Sequence, residues 1–255
     1  MSFELYHSPY STCSQKVRIA LAEKAIAYAS REISFAREEQ LSPDYLKLNP
    51  NGVVPTLVHD GEPVTDSSCI LEYLDEVVPQ PPLSPATALG RARMRAWLRY
   101  FEEVPTAAVR VPSFQDVFLP VVRTFSSERD FAAAGDRRPI RKGFYRKMNS
   151  GSGFTPDELE SSREQLRQTV ERIDGALARG PFILGESFSL AECCVAPLVD
   201  RMDDLGMHDL WAGRSRFRDW LARVRSRPSF REAFYPGSRL SERPEFANAL
   251  RRASP

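Results

Sequence analysis

The chain of 255 residues is predicted to fold as a small α/β domain followed by an all-helical domain. Three observations predict this class. Strand and helix signals alternate in the order β-α-β-α-β-β-α over the first part, a proline-rich connector follows, and the apolar residues beyond it recur at helical spacing. We therefore divide the chain into a first domain over residues 1–78, a linker over 79–86, a helical domain over 87–235 and a charged tail over 236–255, which we expect to be partly loose.

The first half of the α/β domain carries two strands and two helices. Phe3–His7 is predicted as a strand, Ser14–Ala27 as a helix and Tyr28–Ile33 as a second strand. Ser42 followed by Pro43 is typical of the cap and first turn of a further, short helix.

A hairpin and a third helix complete this domain. The pair Asp60-Gly61 lies between two short apolar segments and is a strong hairpin signal, so Thr56–His59 and Glu62–Val64 are predicted to pair. The segment Asp66–Val77 is predicted as a helix because three apolar residues share one face of it. These residues are Ile70, Leu71 and Leu74.

The second domain is predicted from segments with apolar residues at helical spacing. One follows the linker, one starts at Thr155-Pro156, one follows a capping box of Ser189 and Glu192, and one ends near Pro228. The apolar stripes contain Met94, Trp97, Leu98, Phe101, Leu159, Leu166, Val170, Ile173, Leu177, Phe217, Trp220, Leu221 and Val224. The stretch Val104–Gly153 is the least regular, and its basic residues indicate either a solvated surface or a mobile basic cover over an acidic ligand.

The composition argues against several classes of function. The 35 Lys and Arg residues balance 34 Asp and Glu residues, so no overall charge attracts nucleic acid or an anionic membrane. The apolar runs are far shorter than the roughly 20 residues of a membrane span, and the first residues lack a secretory signal. The three histidines lie far apart and no Cys-x-x-Cys occurs, which argues against a zinc site. The cysteines form no disulfide pattern, which favours a reducing cytoplasm.

The main candidate for chemistry is a group of hydroxyls and a thiol between the first strand and the first helix. Ser11, Thr12, Cys13 and Ser14 occupy this junction. The first turn of a helix presents unpaired N–H groups and a partial positive charge, and both stabilise a thiolate, whether it belongs to Cys13 or to a bound thiol. Alternatively, Cys13 is a small apolar residue packed beneath the turn.

Two later segments could meet a ligand at the same place. Pro55 has no N–H, and a cis bond before it would turn the backbone of Val54 outward to pair with an extended, peptide-like ligand. Asp66 and Ser67 are typical helix caps. They could also hold an ammonium and a carboxylate side by side, which is the charge pattern of an α-amino acid.

Together and in this order, the segments resemble the glutathione transferase family. The resemblance lies in Leu5–Ser11, Asn49–Leu57 and Asp66–Leu74, and in the cap Ser189–Glu192 of the second domain, where the family more often has Asp in place of Glu192. It covers nearly the whole chain. It implies a thioredoxin-like α/β first domain, an all-α helical-bundle second domain and a cis bond before Pro55.

The resemblance also implies the ligand and the reaction. Glutathione would be the co-substrate, with Asp66 and Ser67 at its γ-glutamyl end, Val54 and Pro55 at its cysteinyl backbone, and Gln40 at its glycyl end. The protein would be a glutathione S-transferase that activates the glutathione thiol for attack on an apolar electrophile. It would act in the cytoplasm as a homodimer, and no metal, nucleic acid or membrane partner is expected.

Ser11, Thr12 and Cys13 are the catalytic candidates, and the subclass decides between them. Ser11–Arg18 resembles the zeta class and the tetrachlorohydroquinone dehalogenases, in which a cysteine at the place of Cys13 resolves a glutathione adduct. Asn49–Val78 resembles bacterial β-etherases, which use serine or threonine at the thiol and no cysteine nucleophile. The alternatives are a reductive dehalogenase, a thiol transferase or a β-etherase-like lyase in which Cys13 takes part, or a glutathione-binding interaction protein without turnover.

The electrophile is expected between the two domains, and the remaining candidates are given structural roles. His7 is predicted as a strand residue near the ligand, and Arg18 as a partner in a structural ion pair. The cysteines predicted on apolar helix faces are Cys69, Cys193 and Cys194. The aromatic residues that could line the cleft, or belong to the ordinary core, are Tyr10, Phe101, Phe114 and Phe118.

Overall fold

A four-stranded sheet forms the first domain of the computed structural model, which describes residues 1–124, 127, 133, 135–148 and 153–253. The strands are β1 Phe3–His7, β2 Ala29–Glu32, β3 Thr56–His59 and β4 Glu62–Thr65. Their order is β2-β1-β3-β4, with β1 parallel to β2 and antiparallel to β3. Asp60 and Gly61 join β3 to β4 with φ values of 49° and 91°, as a two-residue hairpin turn requires. The predicted mixed sheet and hairpin are confirmed.

The helices of the first domain are α1 Thr12–Glu23, α2 Pro43–Leu48 and α3 Ser67–Val77, and a 3-10 turn over Glu39–Leu41 precedes α2. Helix α1 begins two residues earlier than predicted, because the Ser11 hydroxyl accepts the N–H of Ser14 and caps the helix. It ends at Glu23 rather than Ala27, since Ala25 has a left-handed backbone with φ 50°. Ser42 caps α2, and Pro43 is its first residue, as predicted.

The second domain is helical throughout its described elements, as predicted. Its helices are α4 Ala88–Glu103, α5 Pro105–Ala108, α6 Arg110–Pro112, α7 Leu119–Val122, α8 Lys142–Met148, α9 Pro156–Ala176, α10 Leu190–Asp204, α11 Ser215–Arg225, α12 Pro228–Ala233 and α13 Pro244–Ala253. A π-helical segment over Ser113–Phe118 joins α6 to α7. Capping boxes start α9 at Thr155 and α10 at Ser189, so both predicted helix starts are confirmed.

The end of the chain differs from the expected loose tail, because it contains helix α13. Phe246 and Ala249 on this helix are buried against Val117 and Leu240. Proline and charge dominate the composition here and led to the prediction of a loose segment. The apolar positions 246, 249 and 250 still form one helical stripe, and its partner becomes visible only in the folded molecule.

One apolar core extends through both domains. Leu5 and Ile19 of the first domain belong to the same contiguous cluster as Leu198 and Trp220 of the second. Helix α1 lies at its centre, since it contacts α3 of its own domain and α10 and α12 of the other. The amino end of α1 is therefore positioned by both domains.

The linker between the domains is fastened by a fully buried lysine. Lys24 Nζ lies 2.6 Å from the carboxylate of Asp75, and it donates to the carbonyl oxygens of Val78 and Pro81 at 2.6 and 2.9 Å. A buried ammonium is stable only when such partners surround it. The start of the linker is thus tied to the end of α1.

Within the described ranges, no helix is both long enough and apolar enough to cross a membrane. The same residues contain no group of three or more His, Cys, Asp or Glu side chains that could hold a metal ion.

Candidate functional site

The amino end of α1 gathers hydrogen-bond donors around Ser11. Its hydroxyl accepts the N–H of Ser14 at 3.3 Å, and its own N–H donates to the Ser8 carbonyl at 3.2 Å. Among the described residues, no acceptor takes the hydroxyl proton of Ser11, and the N–H groups of Thr12 and Cys13 have no partner. Three donors and the positive end of a helix dipole are therefore available to one anion here.

The loop before α1 is held in place by the buried side chain of Arg18. Its guanidinium donates to the carbonyl oxygens of Pro9 and Ala233 at 2.8 and 3.0 Å, and to the ring nitrogen Nδ1 of His7 at 3.1 Å. The predicted role as an ion-pair partner is wrong, because these neighbours are neutral groups. The structural role itself stands: Arg18 fixes the loop that leads to Ser11.

His7 is a buried strand residue, as predicted. Burial and the charge of Arg18 lower its pKa to about 4, so the ring is neutral near pH 7. Because Nδ1 accepts from Arg18, Nε2 carries the proton and donates to the Ser30 hydroxyl at 2.7 Å. Both ring nitrogens are occupied, and His7 is not placed to act as a base.

The segment before β3 presents an unpaired stretch of backbone at Val54. The bond between Val54 and Pro55 is cis, as the resemblance implied. Behind it, the carbonyl of Val53 accepts hydrogen bonds from Tyr45 and Asn49 at 2.7 and 2.8 Å. Within the part of the chain that the structure describes, the N–H and C=O of Val54 have no partner. Such a pair of groups can accept one more extended strand.

The turn at Asp66 combines a cap with an unpaired donor. Asp66 has φ 70°, an uncommon conformation for a residue with a side chain, and its carboxylate accepts from Ser68 and Cys69 N–H at 3.0 and 3.1 Å. Desolvation opposes its ionisation, but the hydrogen bonds from Ser68 and Cys69 outweigh it and lower the pKa of the carboxyl. The N–H of Ser67 has no partner among the described residues. A stable negative charge thus lies next to a free donor.

Behind this turn lies a buried charged network that sequence reasoning missed. Ser67 donates its hydroxyl to Glu102 Oε1 at 3.3 Å, and Lys16 Nζ lies 2.6 Å from the same oxygen. Lys16 also donates to the Thr106 hydroxyl at 3.1 Å, and its side chain is fully buried. Helical spacing places Lys16 one turn after Cys13, but no local pattern indicates that a residue 86 positions later neutralises it.

Gln40 is fully buried, and its side-chain amide is unsatisfied. Its exposed fraction is 0 %, and neither its oxygen nor its nitrogen has a hydrogen-bond partner among the described residues. Leaving a buried amide without partners costs on the order of 1–3 kcal/mol per group. Such groups in folded proteins call for an explanation, and a ligand is a common one.

The predicted aromatic residues separate into cleft and core. Phe101 is fully buried in the common core, 5.2 and 5.8 Å from the rings of Trp97 and Tyr100, so its predicted place in the cleft is wrong. It faces inward because it shares a helical stripe with Met94 and Leu98, both buried.

Tyr10, Phe114 and Phe118 lie together at the domain boundary. The Phe118 ring is 4.9 Å from Phe114 and 6.0 Å from Tyr10. Two rings that sequence reasoning did not select join them: Phe35 is 5.8 Å and Phe246 is 5.2 Å from Tyr10. All but Phe246 are partly exposed. The only sequence signal for Phe246 is its place on the apolar helical stripe of the tail. No local pattern predicts that Phe35 joins this cluster.

Two sequence profiles match this chain. "Glutathione S-transferase, N-terminal domain" matches residues 5–82, and "Glutathione S-transferase, C-terminal domain" matches residues 156–223. The chain belongs to the glutathione S-transferase family. Together the profiles cover the sheet from residue 5 onward and the helices α9 and α10.

Relatives of this family member span almost its full length. "Stringent starvation protein A homolog" of Pasteurella multocida is 30% identical over 221 residues, covering 87% of this chain and 84% of that protein. "Protein LigF" of Sphingobium sp. is 26% identical over 245 residues, covering 94% and 95%. "Glutathione S-transferase TCHQD" of Arabidopsis thaliana is 24% identical over 235 residues, covering 90% and 88%. The crystal structure of β-etherase LigF superposes with a TM-score of 0.81, covering 92% of this chain and 99% of that one.

In this member of the family, the four cysteines are free thiols in different surroundings. Cys193 and Cys194 are buried, as predicted, and burial raises the pKa of both thiols. Cys69 is exposed, so its predicted place on an apolar face is wrong. The apolar face of α3 is formed by Ile70, Leu71 and Leu74, and Cys69 points away from it. Cys13 is partly exposed rather than packed in the core.

A partly buried cation of the second domain, Arg110, lies within electrostatic range of Cys13 at the amino end of α1. Arg110 on α6 lies with its guanidinium 5.8 Å from the centre of the Phe144 ring. Burial and the nearby Arg141 lower its pKa, whereas Cys13 and Glu102 act in the opposite direction because they are close acidic groups. Arg110 forms no ion pair with a described carboxylate.

Proposed function

We propose that this protein binds glutathione on residues 1–78 and activates its thiol with Ser11 for attack on an apolar electrophile. The observation that carries the proposal is the set of unpaired donors at the amino end of α1: the hydroxyl of Ser11 and the N–H groups of Thr12 and Cys13. Hydrogen bonds to the anion and the helix dipole both favour a thiolate there. Each unit by which the thiol pKa falls is worth about 1.4 kcal/mol.

The other unpaired groups match the rest of a γ-glutamyl tripeptide. The ionised Asp66 would take the ammonium of the γ-glutamyl end, and the N–H of Ser67 would take its carboxylate. The N–H and C=O of Val54 would pair with the cysteinyl backbone. Gln40 would donate to the glycyl end, which would satisfy its buried amide.

The electrophile would lie against Tyr10, Phe114 and Phe118, between residues 1–78 and the helical domain over 87–235. In the reaction, the sulfur of the thiolate forms a bond to an electrophilic carbon, and the leaving group departs with the electron pair of the broken bond. Arg110 would add positive charge near the sulfur. Apolar walls keep water from the thiolate and hold an aromatic substrate by stacking.

Replacing Ser11 by Ala tests the assignment of the thiol contact. We expect turnover with an activated chloronitrobenzene to fall at least about tenfold, the equivalent of one hydrogen bond in the transition state, while glutathione still binds. Ser11→Thr keeps a hydroxyl and should retain most activity. If Ser11→Ala has the turnover of the wild type, Thr12 or Cys13 contacts the thiol instead of Ser11.

A second candidate reaction is cleavage of an aryl ether. It is favoured by the similarity to LigF over nearly the whole chain, with a TM-score of 0.81 to the β-etherase structure. The thiolate would attack the carbon of the ether, the C–O bond would break, and a phenolate would leave. Incubation with a panel of β-aryl ethers should then release a phenol together with a glutathione thioether. Absence of phenol from every ether that the protein binds argues for the chloronitrobenzene type of substrate.

Cys13 as a redox thiol, and binding without turnover, remain the alternatives. A reductase or thiol transferase predicts a glutathionyl adduct on Cys13 by intact mass, absent in Cys13→Ser. A binding protein predicts a raised melting temperature with millimolar glutathione and no conversion of any electrophile. A melting temperature that glutathione leaves unchanged would contradict all of these functions.

We infer in addition that the protein acts in the cytoplasm as a two-fold homodimer, the commonest assembly of globular proteins. Sedimentation equilibrium should give twice the chain mass of 28.8 kDa. A single species at the chain mass would contradict the dimer without affecting the proposed chemistry.

A further inference from the structure

A short segment of the second domain lies on the loop that carries Gln40. Arg137 forms an ion pair with Glu38. Pro139 Cδ lies 3.1 Å from the position that a Cβ on Gly52 would occupy, so the proline ring packs directly against this glycine. Gly52 has φ 61° and lies 3.4 Å, measured in the same way, from the carbonyl of Gln40. In the sequence, Arg138 lies between Arg137 and Pro139, which both contact the first domain.

The side chain of Arg138 is positioned but incompletely paired. Its guanidinium stacks over the ring of Tyr145 at 4.0 Å, which fixes the plane of the group. Its Nε is buried and has no hydrogen-bond partner among the described residues. A charged donor that is buried without an acceptor is unfavourable unless an anion completes it.

Two unsatisfied groups therefore lie on neighbouring segments, one from each domain. Gln40 comes from the first domain with both amide atoms unpaired, and Arg138 comes from the second with a free N–H. The contacts of Arg137 and Pro139 hold the backbone of Arg138 beside the Gln40 loop. Buried amide and guanidinium donors together are suited to a carboxylate, which accepts from both.

We propose that Arg138 and Gln40 together bind the glycyl carboxylate of glutathione, so that residues 137–139 cover this end of the tripeptide. This inference rests on the proposed function. With the γ-glutamyl end at Asp66, an extended tripeptide that pairs with Val54 carries its glycine at the far end. The carbonyl of Gln40 lies beside Gly52, two residues before Val54. Arg138 is a binding residue that the second domain contributes to a co-substrate held mainly by the first.

The test compares glutathione with its glycine monoethyl ester, which lacks only the carboxylate in question. By calorimetry, we expect the wild type to bind the ester about tenfold more weakly than glutathione. Arg138→Gln should bind glutathione about tenfold more weakly than the wild type and bind the ester as the wild type does. Lys142→Gln, an equal change of charge at an exposed position on α8, should leave both affinities unchanged.

The outcomes separate this inference from the proposed function. If the wild type binds glutathione but Arg138→Gln binds it equally well, or loses glutathione and ester to the same extent, the inference is overturned and the proposed function stands. If the wild type binds neither compound, the proposed function itself fails. Arg138→Lys keeps the charge and should retain part of the preference for glutathione over the ester. Melting temperatures of all variants show whether each is folded.

Discussion

At the scale of single residues, His7 and Arg18 form a neutral–cationic pair that supports the loop before α1. Arg18 donates to His7, Pro9 and Ala233, and so connects β1, the loop before α1 and α12. The arrangement requires an unprotonated ring, since a protonated His7 would present an N–H to a guanidinium. The stability of the loop is therefore linked to pH.

We predict that His7 makes the protein less stable as the pH falls from about 6.5 to 4. The folded pKa of about 4 lies below the ordinary value of 6.5, so the unfolded chain binds the proton first in this range. The free energy of unfolding should fall by roughly 3 kcal/mol across this window on account of His7 alone. Urea unfolding at a series of pH values measures the effect.

The comparison for this prediction is His7→Gln, whose amide can accept from Arg18 and donate to Ser30 without titrating. Its unfolding free energy should decline less steeply over the same pH range, because only other groups then contribute. Identical pH profiles for the two proteins would show that His7 is not the group responsible.

Residues with a local reason for their position could be predicted from sequence. Ser42 caps α2 because a hydroxyl before Pro43 satisfies a free N–H, and Asp66 caps α3 for a similar reason. Arg138 could not be assigned, since its stacking on Tyr145 and the missing partner of its Nε become visible only in the folded molecule. Cys69 was misplaced because apolar neighbours on a short helix leave its exact face ambiguous.

At the scale of elements, the aromatic residues behave according to the helix face that carries them. Phe101 lies on the inner face of α4 and contributes to the core, whereas Phe118 and Phe246 come from a π-helical segment and from α13 and meet at Tyr10. The rings of Phe118 and Phe246 are 5.2 Å apart. Helix α4 therefore contributes Phe101 to the common core, whereas the other two elements contribute their rings to the cluster at Tyr10.

We predict opposite effects for two phenylalanine substitutions. Phe101→Ala should lower the free energy of unfolding by about 3–5 kcal/mol, because it opens a cavity in the core, and should leave the KM for an aromatic electrophile unchanged. Phe118→Ala should raise that KM several-fold, because it removes a partly exposed wall of the proposed cleft, while the affinity for glutathione stays the same. A raised KM for the electrophile in folded Phe101→Ala would show that Phe101 does line the cleft.

Elements with strong caps or hairpin signals could be predicted with their approximate ends. The run from Pro105 to Val122 could not, because prolines at 105, 112 and 120 are typical of loops. In the structure, Pro105 and Pro120 fall in the first turns of short helices, where no N–H is needed, and a π-helical segment separates the later pieces. Tertiary packing, rather than local preference, stabilises this stretch.

At the scale of the whole molecule, we expect the two domains to unfold as one cooperative unit. They share a core, and the buried pair of Lys16 and Glu102 crosses between them. We expect urea unfolding followed by circular dichroism and by tryptophan fluorescence to coincide. Fluorescence reports on the second domain only, because the three tryptophans at 97, 211 and 220 all lie there. Two separate midpoints would contradict a shared core.

The buried pair gives this expectation a quantitative test. Lys16→Met leaves the carboxylate of Glu102 without its ammonium, so the free energy of unfolding should fall by about 3–5 kcal/mol. Lys16→Met combined with Glu102→Leu removes both charges and should recover part of that loss. If the double variant loses more unfolding free energy than the two single variants lose together, the pair does not act by mutual neutralisation.

The architecture followed from sequence because it depends on the periodicity within each segment. The assembly of the site did not, because contacts between distant parts of the chain bring Phe35 and Phe246 to Tyr10. Unsatisfied polar groups such as the Gln40 amide become visible only once all of their neighbours are known.

The enclosure of Lys16 and Lys24 has a practical consequence for labelling. The chain has five lysines, at positions 16, 24, 47, 142 and 147, and these two have side chains with no exposed surface. An amine-directed acylating reagent should therefore spare them in the native state and modify Lys47, whose side chain is open to solvent. Acylation of Lys16 would then report the opening of the contact between the sheet domain and the helical domain.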